Sequence, residues 1–263
     1  MFIILSLLYP IYPLLRPLSP LKSTIILLRH GQSTSNIQGV ISSCRSLENT
    51  SRHPLTEVGR VQASDAGRSL RSLIEGEDRA REGRGQGGLK EVKFLSSTFR
   101  RAVETAEIAR RALEGEMGST GAPSAPSVNP GVLKVTDFRE RYFGRLDGLP
   151  LSTYAYVWPV DMVTTENKGF GVESVEEVWS RSSSALERLD AEIGGKGVCL
   201  VVAGHADTLQ IMQAGTAGTE HLGDFSSYRF KNGECRVLDG SLPEREEMGP
   251  PENLTKGQGE RHS

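Results

Sequence analysis

Apolar positions in this chain come in two patterns. Residues 24–28 (TIILL), 92–96 (VKFLS) and 198–204 (VCLVVAG) are near-continuous apolar runs bounded by polar residues, the pattern of strands buried on both faces. Between them the apolar positions recur at helical spacing. Residues 56–74 (TEVGRVQASDAGRSLRSLI) read as one helix, with Thr56 as its N-cap. Residues 99–113 (FRRAVETAEIARRAL) read as a second, with Ala102, Ala106, Ala109 and Leu113 on one face. A third runs from about 174 to 193, where Ser174 and Glu177 form the S-x-x-E capping-box pattern. Strands alternating with helices predict an α/β fold, a three-layer α/β/α sandwich around a mostly parallel central sheet. Ligands then gather at the carboxyl ends of the strands.

Other stretches lack either pattern. Residues 75–88 (EGEDRAREGRGQGG) are charged and glycine-rich, and residues 115–131 are small and proline-rich; both read as mobile insertions, with the first extending to about residue 90. Residues 241–263 read as a polar disordered tail, leaving 24–240 as the main folded domain. Residues 1–23 are an apolar, proline-containing extension. Pro10 and Pro13 interrupt them, no basic residue precedes the apolar run and no small-residue cleavage site follows. The run is also shorter than the roughly 20 apolar residues of a spanning helix. A cytoplasmic protein is therefore the expectation, ahead of organelle or secretory targeting and of membrane association through residues 1–15.

Composition removes several classes. The net charge of −2, with acids and bases interspersed, lacks the basic balance of a nucleic-acid binder. The three cysteines, Cys44, Cys199 and Cys235, are widely spaced and form neither a disulfide framework nor a zinc knuckle; they read as reduced and structural. No H-E-x-x-H, EF-hand loop or Walker glycine loop occurs, so neither metal nor cofactor is expected.

The chemistry lies where the strands end. The first apolar run leads into Arg29, His30 and Gly31, the second into serines and then Arg100 and Arg101, and the third into Gly204, His205 and Ala206. A single histidine after a strand is usually structural. Two histidines and two arginine groups, each just past an apolar strand, make an anion site, because arginine's planar fork donates paired hydrogen bonds to a phosphoryl group and stays charged.

These residues sit in an ordered set of motifs: LLRHGQSTSN (27–36), PLTEVGRVQA (54–63), LSSTFRRAVETA (95–106), FRERYFGRLDG (138–148), GVESVEEV (171–178) and VVAGHADTLQIM (201–212). In this order, over residues 24–238, the chain resembles the histidine phosphatase superfamily, the phosphoglycerate mutase-like proteins. The resemblance implies that His30 is the nucleophile that becomes phosphohistidine, and that Arg29, Arg101 and His205 clamp the phosphoryl oxygens. It implies that Glu140 gives and takes the proton, and that Asn36, Ser42 and Ala206 lie along the substrate. It selects Arg101 over Arg100, which reads as a solvated charge. Gln32, Ala206 and His53 depart mildly from the family pattern, which often has glutamate, glycine and an acid at these places. His221 and His262 belong to no motif and read as structural or surface residues.

The reaction expected is hydrolysis of a small phosphorylated metabolite without a metal, with phosphoglycerate mutase-type transfer as the alternative and a non-catalytic ligand-binding protein behind both. In this family the segment after the catalytic glutamate, here 149–172, selects the substrate. It holds Tyr154, Tyr156, Trp158 and Phe170, but only one basic residue, Lys168, and no adjacent arginine pair. Those rings read first as packing this cap onto the core.

Overall fold

The computed structural model describes residues 15–48, 50–119 and 125–242. The expectations for residues 1–14, for the middle of the 115–131 insertion, for His262 and for the tail beyond 242 lie outside the described residues.

Strand β1 (Thr24–Arg29) leads into a short helix α1 (Thr34–Gln38), and helix α2 (Glu57–Gly83) is followed by β2 (Glu91–Ser96). Helix α3 (Arg100–Ser119), β3 (Ser127–Lys134), the single-turn α4 (Trp158–Asp161), α5 (Val175–Glu192), β4 (Val198–Gly204), α6 (Ala206–Ala217) and β5 (Cys235–Val237) complete the order. The strands form one sheet in the order β3-β2-β4-β1-β5, parallel except for β5. The three-layer α/β fold expected from the sequence is the fold observed.

The unbroken apolar runs have a direct cause, since each central strand is covered twice. On one face Ile26, Leu28, Phe94 and Val201 pack with Leu70 of α2 and with Ala106, Ala109 and Leu113 of α3. On the other, Ile25, Leu27, Leu95, Leu200 and Val202 meet Leu186 and Leu189 of α5 and Leu209 and Met212 of α6. Thr56 caps α2 by accepting from the Gly59 amide, and Ser174 with Glu177 closes the capping box of α5.

Two expectations need correction. The charged stretch after residue 74 is not a loop to begin with, because α2 continues to Gly83. Its residues are mostly Glu, Arg and Ala, which favour helix despite the isolated Gly76. Arg71 pairs with Glu75 one turn along at 2.8 Å, and Arg81 is buried. The proline-rich stretch likewise ends inside β3, which carries Pro130 at the sheet edge and departs from regular register opposite Val92 and Phe94.

The described part of the N-terminal extension lies against α5. Arg16 pairs with Glu187 at 2.8 Å, the Trp179 indole donates to the Arg16 carbonyl at 3.1 Å, and the Lys22 and Ser23 amides both donate to Asp190 at 2.9 Å.

One glycine pair holds the first strand's loop against α2. A Cβ on Gly31 would overlap the Gly59 carbonyl oxygen, and a Cβ on Gly59 would overlap that of Gln32. Both obstacles are backbone, so neither can turn aside. Gly59→Ala is expected to cost about 1–3 kcal/mol, as overpacking does, read as a lower midpoint in urea unfolding with an unchanged slope.

Candidate active site

The sheet register brings the predicted residues to one level. Arg29 is paired with Gly204, and Ser96 with Ala203. The ladder runs one residue further, with the His30 amide donating to the Gly204 carbonyl at 3.0 Å and the Ser97 amide to that of Ala203 at 2.9 Å. His30, Ser97 and His205 therefore leave three adjacent strands side by side. The two imidazoles lie 5.2 Å apart between ring centroids, edge to face.

The protonation state of His30 follows from its partners. Nδ1 lies 2.7 Å from the Gly31 carbonyl, which can only accept, so Nδ1 carries the proton. Nε2 accepts from the Arg101 Nε–H at 3.2 Å and thus presents a lone pair. Burial, then Arg101 and Arg29, hold His30 well below its ordinary value, so it is neutral at pH 7. Burial, with Arg101 next, does the same to His205, whose Nε2 meets the Ser97 hydroxyl at 2.8 Å.

Two arginines flank this pair. Arg101 is buried, and its remaining donors reach Ser42 Oγ at 3.2 Å and the Ser42 carbonyl at 2.8 Å. Burial pulls Arg101 down to about 10, which leaves it a cation at pH 7. Arg29 donates to the Phe230 carbonyl, while its buried Nε finds no partner among the described residues. Arg100, its neighbour in sequence, is exposed.

Glu140 approaches from the segment after β3. Its Oε1 accepts from the Arg141 amide at 3.0 Å and from the Thr208 amide and hydroxyl at 3.4 Å each. Burial raises its affinity for a proton, opposed by Arg101. Beside it, burial and the Glu140 charge push Asp207 up to about 7. The site thus holds a lone pair, fixed cations and a carboxyl whose proton affinity is raised, groups that phosphoryl transfer with a general acid can use.

Ser42 joins the cluster directly, and Ala206 opens α6 immediately after His205. Asn36 lies in the first turn of α1, where its amide oxygen accepts from the Ser33 amide at 2.9 Å; no hydrogen bond among the described residues links it to His30 or Arg101. His53 takes a left-handed φ of 53°, and His221 is exposed.

Several contributors escaped the sequence reading. Thr105 accepts from the Gly31 amide at 3.1 Å and donates to the Arg101 carbonyl at 2.7 Å, tying the loop after β1 to α3. Its place one helical turn after Arg101 was the available signal. Arg141 is fully buried and grips Asp161 of α4 through both terminal nitrogens, at 2.6 and 2.9 Å, while its Nε donates to the Glu173 carbonyl at 2.7 Å. This fastens the cap to the segment bearing Glu140. Within the cap, Tyr154 stacks on Trp158 at 4.6 Å, and the Trp158 indole donates to Asp207 at 3.3 Å, so these two rings pack inward. Tyr156 and Phe170 are exposed.

Two neutral histidines and two arginines thus meet at the carboxyl ends of the sheet, with a buried carboxyl beside them, an arrangement suited to binding an oxyanion. The sequence model of the histidine phosphatase superfamily (branch 1) matches residues 25–242, and the chain belongs to that family, whose members are phosphatases or mutases. It is 25% identical over 193 residues to the 2,3-bisphosphoglycerate-dependent phosphoglycerate mutase of Nitrobacter winogradskyi, covering 72% of this chain and 78% of that protein. The enzyme of the same description from Rhizobium etli is 26% identical over 200 residues, 73% and 79% of the two chains. Among solved structures, a mycobacterial glucosyl-3-phosphoglycerate phosphatase bound to VO3 shares the fold with a TM-score of 0.57 at 21% identity, over 81% of this chain and 90% of that one. Bacillus stearothermophilus YhfR gives 0.53 at 22% identity, over 82% and 90%.

Proposed function

We propose that the protein is a metal-independent phosphomonoesterase that hydrolyses a small phosphorylated metabolite through a phosphohistidine. The observation that carries this reading is the tautomer of His30, whose Nδ1–H is committed to the Gly31 carbonyl so that Nε2 is the unprotonated nitrogen, its lone pair held by the Arg101 Nε–H until a phosphoryl group takes that donor. In the first step Nε2 attacks phosphorus, the P–O bond breaks, and the leaving oxygen takes the Glu140 proton. In the second, water attacks phospho-His30, Glu140 accepts the water's proton, and phosphate departs with neutral His30 restored. Arg29, Arg101 and His205 hold the phosphoryl oxygens. The buried Arg29 Nε and His205 Nδ1, both without partners among the described residues, support that assignment. A buried, partnerless polar atom is costly, and a bound oxyanion would satisfy a donor.

Glu140→Gln is expected to slow an alkyl phosphate by about 10²–10⁴-fold and p-nitrophenyl phosphate far less, because a phenolate leaves without protonation. Equal slowing of both would remove Glu140 from the role.

The mutase reading is favoured by the curated relatives, which are mutases. Against it stands the cap, whose single basic residue, Lys168, is 62% exposed and bonded to Glu177 at 2.7 Å. A mutase must retain a doubly phosphorylated intermediate and shield its phosphoenzyme from water. Product partitioning with 3-phosphoglycerate and a trace of 2,3-bisphosphoglycerate separates the readings: phosphate release outpacing isomerisation supports the phosphatase, and the reverse establishes the mutase.

A further inference from the structure

Beside the Glu140 segment lies an open cleft of about 690 Å³, lined in part by Arg45, Arg139, Tyr142, Lys168, Glu173 and Arg181. A charged cleft is ordinarily just solvated. Here the ion pairing is uneven. Arg181 takes both oxygens of Glu173, at 2.8 and 3.0 Å, and the Tyr142 amide also donates to that carboxylate at 3.2 Å. Lys168 is held by Glu177. Arg45 reaches Glu173 only at 3.9 Å, and its guanidinium lies 5.5 Å from the centre of the Tyr142 ring.

Arg139 is left over. Among the described residues its Nε, shielded from solvent, has no hydrogen-bond partner, and no carboxylate forms an ion pair with its guanidinium. Its root is fixed, because the Arg139 carbonyl accepts from Thr208 Oγ1 at 2.8 Å and the next residue is Glu140. Burial, then repulsion from Arg181 and Arg45, pull it below the ordinary arginine value and outweigh the attraction of Glu173 and Glu48, while the Glu173 oxygens are bonded to Arg181. Such a group gains most from a second anion, and the guanidinium fork suits a carboxylate or phosphate. The volume lies in the range of small-molecule sites.

We infer that this cleft is an oxyanion site, with Arg139 and Arg45 as its ligating residues, for a carboxylate or phosphate group on a small molecule, distinct from the phosphoryl cradle at His30. That group belongs either to the far end of the substrate or to a separate anionic effector.

Equilibrium dialysis of the full chain against labelled inorganic phosphate tests the site without relying on turnover, so it stands or falls apart from the proposed reaction. Two phosphates per chain are expected in the wild type and one in Arg139→Gln. Equal stoichiometry in both proteins overturns the site. If Arg139→Gln does not fold, Arg45→Gln, at an exposed side chain, carries the same expectation of a lost or about tenfold weaker second phosphate. Kinetics then assign the source. A KM for 3-phosphoglycerate that rises about tenfold relative to that for p-nitrophenyl phosphate places the substrate's own second acid group in the cleft. An unchanged ratio with the second phosphate lost assigns the cleft to a separate effector.

Discussion

His30→Ala is expected to abolish turnover, with kcat falling by about four orders of magnitude or more, the scale seen when a nucleophile is removed from a covalent mechanism. A rapid acid-free quench of the wild type with substrate should trap base-stable, acid-labile phosphate on His30, and the variant should trap none. Near-normal turnover by the variant would end the phosphohistidine mechanism. The same residue has a second signature. Its folded pKa is depressed, so its neutral form contributes stability that is full above the unfolded value of about 6.5 and is lost as pH falls towards the folded value. Removing the imidazole removes one proton taken up on unfolding. Below pH 6.5 the variant's stability should therefore fall less steeply, by about 1.4 kcal/mol per pH unit. In the wild type the acid limb of activity should lie well under 6.5, because protonation of Nε2 is what extinguishes the nucleophile.

Arg141→Met is expected to destabilise the protein by about 3–5 kcal/mol, since it leaves the Asp161 carboxylate buried without its cation. The companion change Arg141→Met with Asp161→Leu removes both charges and should recover most of that loss, because a well-packed apolar pair often matches a buried ion pair. Urea unfolding of the two variants measures the difference. If the double variant is as unstable as the single one, the pair contributes through its other bonds, above all the Arg141 Nε bond to the Glu173 carbonyl. Even a restored double variant is expected to lose activity, because the ion pair joins the cap to the segment that holds Glu140.

What could be read from the sequence was what repeats locally or ends a strand. β1, β2 and β4 announced themselves because burial on both faces demands unbroken apolar runs, and α3 because Ala102, Ala106, Ala109 and Leu113 share a face that the sheet covers. The residues at the site followed from those strand ends together with the family resemblance. The continuation of α2 was missed because glycines and dense charge resemble a loop, although the residue types are helix-forming. β3 was missed because Pro130 and Gly131 lie inside it. Arg141 and Asp161 are 20 residues apart, and nothing local marks either as buried. Asp207 looked like an ordinary acid in a first helical turn. Its exposure of 1% depends on Trp158 and Arg141 closing over it, which only the tertiary structure decides.

The two ends of the sheet have a bearing on how the protein behaves in crowded solution. An open strand edge offers unpaired amides and carbonyls to any passing chain. Here one edge is β3, where Pro130 withholds a donor and the irregular register spoils a regular ladder, and the other is β5, only three residues long and antiparallel to its neighbour. Neither offers a long, regular template, so strand-by-strand growth into fibres or edge-to-edge dimers is disfavoured at both margins. Self-association through these two strand edges is thus expected to be weak.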